Sequence, residues 1–246
     1  MQTGADFNRT FLDQLEELGI QPDSRQLDML MEYYLNLEDW NQRMNLTAIN
    51  GLDDVCTRHF VDSLSIVKCI PKEELEKGLS VIDVGTGAGF PGMVLAIAFP
   101  GCRITLADSL NKRIRFLDDT LEKLGLANVT TVHGRAEDLG AAAAYREKFD
   151  LAVSRAVSSL PVLLEYCLPF VRTGGRFAAY KGEKLEAELA VSSKAIKVLG
   201  GTVRDRVSFE LPGTDYFREL LVVEKTSATP ARYPRKAGTP SASPIG

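Results

Sequence analysis

The sequence has no run of about 20 consecutive apolar residues, so nothing in it is expected to span a membrane. Its start, Met1-Gln2-Thr3-Gly4-Ala5-Asp6, has no basic residue and leads into no apolar stretch, so no signal peptide is expected. Cysteine is scarce. Cys56, Cys69, Cys102 and Cys167 stand far apart, with no Cys-x-x-Cys pair. They read as buried free thiols of a cytoplasmic protein, with neither a metal site nor a disulfide expected. Positive charge is short too. A net charge of −4 argues at first sight against a nucleic-acid partner. The distribution is uneven, however. Residues 1–70 hold five basic and twelve acidic side chains, whereas from Thr226 onward Arg232, Arg235 and Lys236 meet no acid. This asymmetry permits an RNA-facing surface on the later part without demanding one.

The 246 residues suffice for one large domain plus an extension, and 45% hydrophobic with 25% charged residues is ordinary for a globular protein. Helices are expected over 6–19 and 24–44. In the second, Leu27, Leu30, Tyr34 and Leu37 recur at spacings of three and four, and Ser24 reads as its N-cap. A further helix is expected over 52–69, ending before Pro71. This first third shows no strand pattern. From Leu79 short apolar runs alternate with amphipathic segments. Strands are expected at 79–84, 103–108, 128–133, 149–154, 174–180, 202–209 and 217–225. Helices are expected at 90–98, 111–125, 159–170 and 184–199. Alternation of this kind builds a parallel sheet, and the last two strands, joined without a helix, should pair antiparallel. After Lys225 the chain, rich in Pro, Ala, Ser, Thr and Gly, reads as an extended tail.

The segment with the most chemistry is Val81-Ile82-Asp83-Val84-Gly85-Thr86-Gly87-Ala88-Gly89-Phe90-Pro91-Gly92. It reads as a buried strand, a glycine loop and a helix start, a joint that brings backbone N–H groups close to a ligand. The nicotinamide fingerprint needs its third glycine where Phe90 stands; here it comes one place early, at Gly89. Asp83 precedes the loop, and a carboxylate there suits a cationic ligand and repels a pyrophosphate. Asp-x-Gly-x-Gly-x-Gly resembles the first motif of Rossmann-like methyltransferases, which implies S-adenosylmethionine. A strand–turn–helix joint without a ligand is the plainer alternative. Asp108, at the end of the second strand, reads either as the acceptor for ribose hydroxyls or as an N-cap for the next helix, and the two are compatible. The loop His133-Gly134-Arg135-Ala136-Glu137-Asp138 reads as adenine-facing or as an ordinary polar loop.

After the fourth strand comes Val153-Ser154-Arg155-Ala156-Val157. An Asn/Asp-Pro-Pro-aromatic motif is absent there, and so is a cysteine nucleophile. A ring nitrogen such as guanine N7 needs neither, because its lone pair attacks without a base, and alignment is then the main requirement. Arg155 is a candidate to hold the acceptor or a phosphate, or else a structural ion pair.

Taken over nearly its whole length, the chain resembles the bacterial 16S ribosomal RNA guanine-N7 methyltransferases of the glucose-inhibited-division B type. The resemblance rests on Asn45-Leu46-Thr47, Arg58-His59-Phe60-Val61-Asp62-Ser63-Leu64, the glycine loop, Asp108-Ser109-Leu110-Asn111-Lys112-Arg113-Ile114, Arg135-Ala136-Glu137, Ser154-Arg155-Ala156, Lys181-Gly182 and Tyr233-Pro234-Arg235-Lys236-Ala237-Gly238-Thr239-Pro240. It implies an α/β fold: a Rossmann-like class I methyltransferase with a seven-stranded, mostly parallel sheet, its last strand antiparallel, behind a helical cap. Cap (1–70), methyl-donor domain (71–225) and basic tail (226–246) are the expected divisions. Gly85, Phe90, Ala136, Glu137 and Arg155 are implied contacts of S-adenosylmethionine, to which the motif reading adds Asp83, Gly87, Gly89 and Asp108. Arg58, His59, Lys112, Arg113, Lys181, Arg235 and Lys236 are candidate RNA contacts. No residue is assigned a catalytic role and no metal is expected. The implied product is 7-methylguanine in a decoding-site loop of the small-subunit RNA, made by a cytoplasmic monomer with no obligate protein partner. One departure is that Ser241-Ala242-Ser243 supplies no cation before Pro244-Ile245, which weakens the tail as a phosphate binder. Methylation of another RNA, a protein or a small molecule, and a donor-binding RNA scaffold without turnover, remain the alternatives, with a dehydrogenase third.

Overall fold

A computed structural model describes residues 7–246. The segment Met1–Asp6, and with it the first position of the expected 6–19 helix, lies outside the described residues. α1 (Arg9–Glu17) starts after Asn8, whose side chain accepts from Phe11 N at 2.8 Å. α2 (Ser24–Met44) has the expected bounds, but its cap is Asp23, not Ser24. The Asp23 carboxylate accepts from Gln26 N at 2.8 Å, and the Gln26 side chain returns the bond to Asp23 N at 2.9 Å. This reciprocal box needs a polar side chain three places on, and Ser24 has only Leu27 there.

The single helix expected over 52–69 is broken. It comprises α3 (Leu52–Val55), a π-wound segment Cys56–Val61, α4 (Asp62–Leu64) and a 3-10 turn Ser65–Lys68. Arg58 and His59 lie on the π segment, a wider turn that recurs at functional sites and leaves little trace in a 3.6-residue pattern. α5 (Lys72–Lys77) then leads to the sheet.

Strands and helices next alternate, with one helix more than expected, since α8 forms where the sequence reads as a loop: β1 (Ser80–Val84), α6 (Gly92–Ala98), β2 (Arg103–Asp108), α7 (Asn111–Leu124), β3 (Val129–His133), α8 (Ala136–Ala141), β4 (Phe149–Arg155), α9 (Leu160–Cys167) and β5 (Val171–Lys181). The expected 184–199 helix is two, α10 (Leu185–Ala190) and α11 (Ser193–Val198). Ser192 Oγ donates to Glu188 O at 2.6 Å, a side-chain bond that competes with continued winding. The hairpin β6 (Gly201–Glu210) and β7 (Phe217–Lys225) closes the sheet.

The sheet order is β3-β2-β1-β4-β5-β7-β6, with β7 antiparallel to both neighbours and every other pairing parallel. Order reverses between β1 and β4, so a crevice opens beyond their carboxyl ends. One apolar cluster joins Phe11, Tyr33 and Phe60 of the cap to Met93, Leu106 and Phe116 around the sheet. The other face is covered by α9 and α11 through Leu163, Leu164 and Ile196. Three cysteines are buried, and Cys69 is half-buried.

The extended-tail reading is corrected. Residues 226–246 run across α8 and α9 and end in α12 (Thr239–Ala242), with Ile245 buried. Arg146 donates to Thr229 O at 2.6 Å and Tyr233 O at 2.8 Å, and the buried Glu165 takes the Arg235 guanidinium at 2.6 Å. A polar, proline-rich composition conceals these partners, because each lies far away in sequence. Arg235→Ala leaves the Glu165 carboxylate buried and unpaired, which should cost about 3 kcal/mol in urea unfolding. A loss below about 1 kcal/mol would show that this pair does not hold the tail.

Candidate functional site

Beyond the carboxyl ends of β1, β2 and β4 lies a cavity of about 1050 Å³. Of the expected methyl-donor contacts, Gly85, Gly87, Phe90, Asp108 and Arg155 line it. Of the expected RNA contacts, Arg58, His59, Arg113 and Lys181 do. Asp83, Gly89, Ala136, Glu137, Lys112, Arg235 and Lys236 are not among its lining residues.

Loop geometry explains two glycines. Gly87 lines the cavity with φ +64°, a conformation strained for any side chain, and a Cβ there would meet nothing within 4 Å. Gly89 has φ +96°, and a Cβ there would lie 2.6 Å from the Tyr33 hydroxyl of α2. That hydroxyl donates to Ala88 O, so the cap grips the loop directly.

Asp83 lies beneath the loop, fully buried. Its Oδ2 accepts from Thr86 Oγ1 at 2.7 Å and from Gly92 N at 2.8 Å, while Oδ1 has no partner. Burial raises its pKa to about 6, against the pull of those two bonds and of Arg155. Asp108 closes β2 at the cavity wall. Its Oδ2 accepts from Gly87 N at 3.0 Å and Arg113 Nη1 at 3.1 Å, and its Oδ1 from Leu110 N at 2.9 Å. It caps no helix, since the α7 N-cap is Leu110. Glu137 is buried and accepts from the tail's Gly238 N at 2.8 Å. Ala136 begins α8 beside it.

Arg155, at the end of β4, donates to Asp62 Oδ2 at 2.7 Å, His59 Nδ1 at 3.0 Å and Arg58 O at 3.3 Å. Asp62 also accepts from Arg218 Nε at 2.9 Å. The ion-pair reading of Arg155 and its place at the cavity therefore coincide. His59 stacks on Phe90 with ring centroids 4.1 Å apart, and its Nε2 lies 2.9 Å from Thr47 Oγ1. Burial, then the charges of Arg155 and Arg58, lower its pKa to about 3, against a small opposing pull from the Arg58 backbone. The imidazole is thus neutral at physiological pH. Lys181 pairs with Glu188 at 2.6 Å and donates to Ser158 O at 3.0 Å. Lys112 and Lys236 are exposed.

Asp62, Thr47, Tyr216, Phe217 and Arg218 also line the cavity. Asp62 and Thr47 stood inside quoted motifs without a role. Tyr216, Phe217 and Arg218 belong to the β6–β7 hairpin and had no motif to mark them. Tyr216 is exposed, with Arg58 5.4 Å over its ring.

A seven-stranded sheet of this order, with a glycine loop at its switch point and an acid ending the neighbouring strand, defines a Rossmann-like methyltransferase. The fold is similar to that of a methyltransferase from Pyrococcus furiosus (TM-score 0.55, 20% identity, covering 80% of this chain and 98% of that one). It is also similar to a predicted O-methyltransferase from Agrobacterium tumefaciens (TM-score 0.52, 18% identity, 68% and 80% covered). A family model described as GidB, rRNA small subunit methyltransferase G, matches residues 26–214. Proteins named ribosomal RNA small subunit methyltransferase G are similar throughout. That of Alkaliphilus oremlandii is 52% identical over 93% of this chain and 94% of its own. That of Acetivibrio thermocellus is 48% identical over 92% of each. The chain belongs to the rRNA small subunit methyltransferase G family.

Asp83 gives a pH test. Its folded pKa, about 6, lies above the ordinary 3.8, so its contribution to stability is full below pH 3.8 and is lost as pH rises through about 6. Asp83→Asn removes this term. Between about pH 4 and about pH 7 the wild type should lose about 3 kcal/mol relative to the variant in urea melts. A difference that does not change with pH would refute it.

Proposed function

We propose that the protein transfers a methyl group from S-adenosylmethionine to guanine N7 in a decoding-site loop of 16S ribosomal RNA. One observation carries this reading: His59, Asp62 and Asp108, which line the cavity, are each engaged by other groups of the protein. His59 has a partner at each nitrogen, Asp62 bridges two arginines and Asp108 accepts three bonds. No cysteine lines the cavity. Such a site suits an acceptor that needs neither a base nor a covalent nucleophile, and guanine N7 is one.

The residues present fit the donor. Gly87 leaves open the space a side chain would fill, and Asp108 offers a carboxylate with one lone-pair site free to a ribose hydroxyl. Gly85, Phe90 and Arg155 would flank it, with Ala136 and Glu137 toward the adenine. When bound, S-adenosylmethionine supplies an electrophilic sulfonium methyl. The chain's contribution is alignment, which is worth about 7–11 kcal/mol in well-oriented reactions. Phe90, wedged between His59 and Tyr33, holds the loop's end still, and Arg155 is fixed by Asp62.

The acceptor base must leave its stack to enter such a cavity. Arg58 and Arg113 in the cavity's lining, with exposed Lys112 and Lys236 outside it, supply phosphate contacts, whereas Lys181 is spent on Glu188. Arg235 is spent on Glu165, so the tail offers Lys236 alone of its Arg-Lys pair. In this reading residues 1–70 act as cap, 71–225 as donor domain and 226–246 as tail. The protein acts as a cytoplasmic monomer on the small subunit.

Small subunits from cells lacking this protein should accept label from S-adenosylmethionine, and digestion with mass spectrometry should then show one new 7-methylguanosine. Gly87→Val should weaken donor binding at least about tenfold in equilibrium dialysis, because it strains a φ of +64° and adds bulk to a residue of the cavity's lining. Label in protein alone, or in none of the RNA, would defeat the RNA reading.

A further inference from the structure

The hydrogen bonds around His59 fix the donor role of the hydroxyl of Thr47, a residue of the cavity's lining. A guanidinium has only donors, so His59 Nδ1, 3.0 Å from Arg155 Nη2, must be the acceptor. The neutral imidazole then carries its proton on Nε2 and donates it to Thr47 Oγ1 at 2.9 Å. The same oxygen accepts from Ile49 N at 3.1 Å. Both lone pairs of Thr47 Oγ1 are therefore used. Its hydrogen meets no acceptor among the described residues, and Thr47 lines the cavity. The hydroxyl can give a hydrogen bond to a ligand and cannot take one. Asp62 and Phe90 hold the arrangement, one by fixing Arg155 and the other by stacking on the imidazole.

We propose that Thr47, locked as a donor by His59 and Arg155, reads the O6 oxygen of the acceptor guanine and so selects guanine over adenine. This rests on the guanine-N7 reading above. O6 is the neighbour of N7 on the same base edge, and both are acceptors. Adenine presents an amino group in place of O6, so two donors would face each other with neither satisfied. Thr47 sits on the loop after α2 in the cap, whereas Gly85, Gly87 and Asp108 sit at the ends of β1 and β2. The cap thereby reads the base and the sheet holds the donor. His59 is a positioning residue here, since it acts through Thr47.

The test uses small subunits reconstituted with either guanine or 2-aminopurine, which keeps N7 but lacks O6, at the target position. The wild type should favour guanine about 100-fold in kcat/KM, in line with the penalty for leaving a polar group unpaired in a closed site. Thr47→Ser should keep that preference, and Thr47→Val should reduce it below about tenfold. A merely structural role lowers both rates together and leaves the ratio unchanged, which would overturn the proposal. Equal use of the two bases by the wild type would overturn it without any variant. If Thr47→Val instead weakens S-adenosylhomocysteine binding by the same factor as transfer, the hydroxyl meets the donor's carboxylate and the proposal fails. Absence of transfer to guanine by the wild type would remove the guanine reading itself.

Discussion

The Asp62 carboxylate holds the site together. It is buried, and it accepts Arg155 from the end of β4 and Arg218 from the start of β7. Cap, parallel sheet and hairpin therefore meet on one side chain. A buried ion pair is weak evidence for net stability, because desolvation consumes most of its attraction. Its effect here is orientation. With Arg155 pinned, His59 has one tautomer; with His59 pinned, Thr47 has one donor direction and Phe90 a flat surface to stack on.

A second constraint runs through the same loop. Tyr33 bonds Ala88 O and approaches Gly89 too closely for a side chain. Its ring also lies 5.3 Å from Phe90 and 5.8 Å from Phe60. The helical cap is thus no mere lid; it shapes the glycine loop from behind. Asp83 works from beneath, at the cost of an unpaired buried oxygen and a raised pKa. The loop is clamped on two sides and is thereby held in one shape.

Most of the fold is legible in the sequence. The periods of the βα units are strong, and β2, β7 and α2 have the expected bounds. The failures share one cause. The π turn at Cys56–Val61, the break at Ser192 and the docked tail all depend on bonds that side chains make to backbone or to distant partners, which composition and periodicity do not register. The glycine loop and Asp108 are legible because their spacing follows strand and helix geometry. Asp83 is legible as important but not in its placement: a carboxylate two residues before a loop can face up or down, and packing turned it down. Arg235 is similar, for only the tertiary structure supplies Glu165.

By itself the sequence determined the fold class, the glycine loop between strand and helix, and the family, since these rest on local periods and on contiguous motifs. Tertiary structure decided which of the motif residues meet. It brought Thr47, His59, Asp62, Arg155 and Arg218 into one chain of bonds across 171 positions from Thr47 to Arg218. It also spent Arg235 on Glu165 and left Arg58 in the cavity's lining. The physical reason is that a hydrogen bond's direction depends on every partner around the donor and the acceptor. Those partners are gathered by folding, from segments whose separation in sequence carries no sign that they will touch.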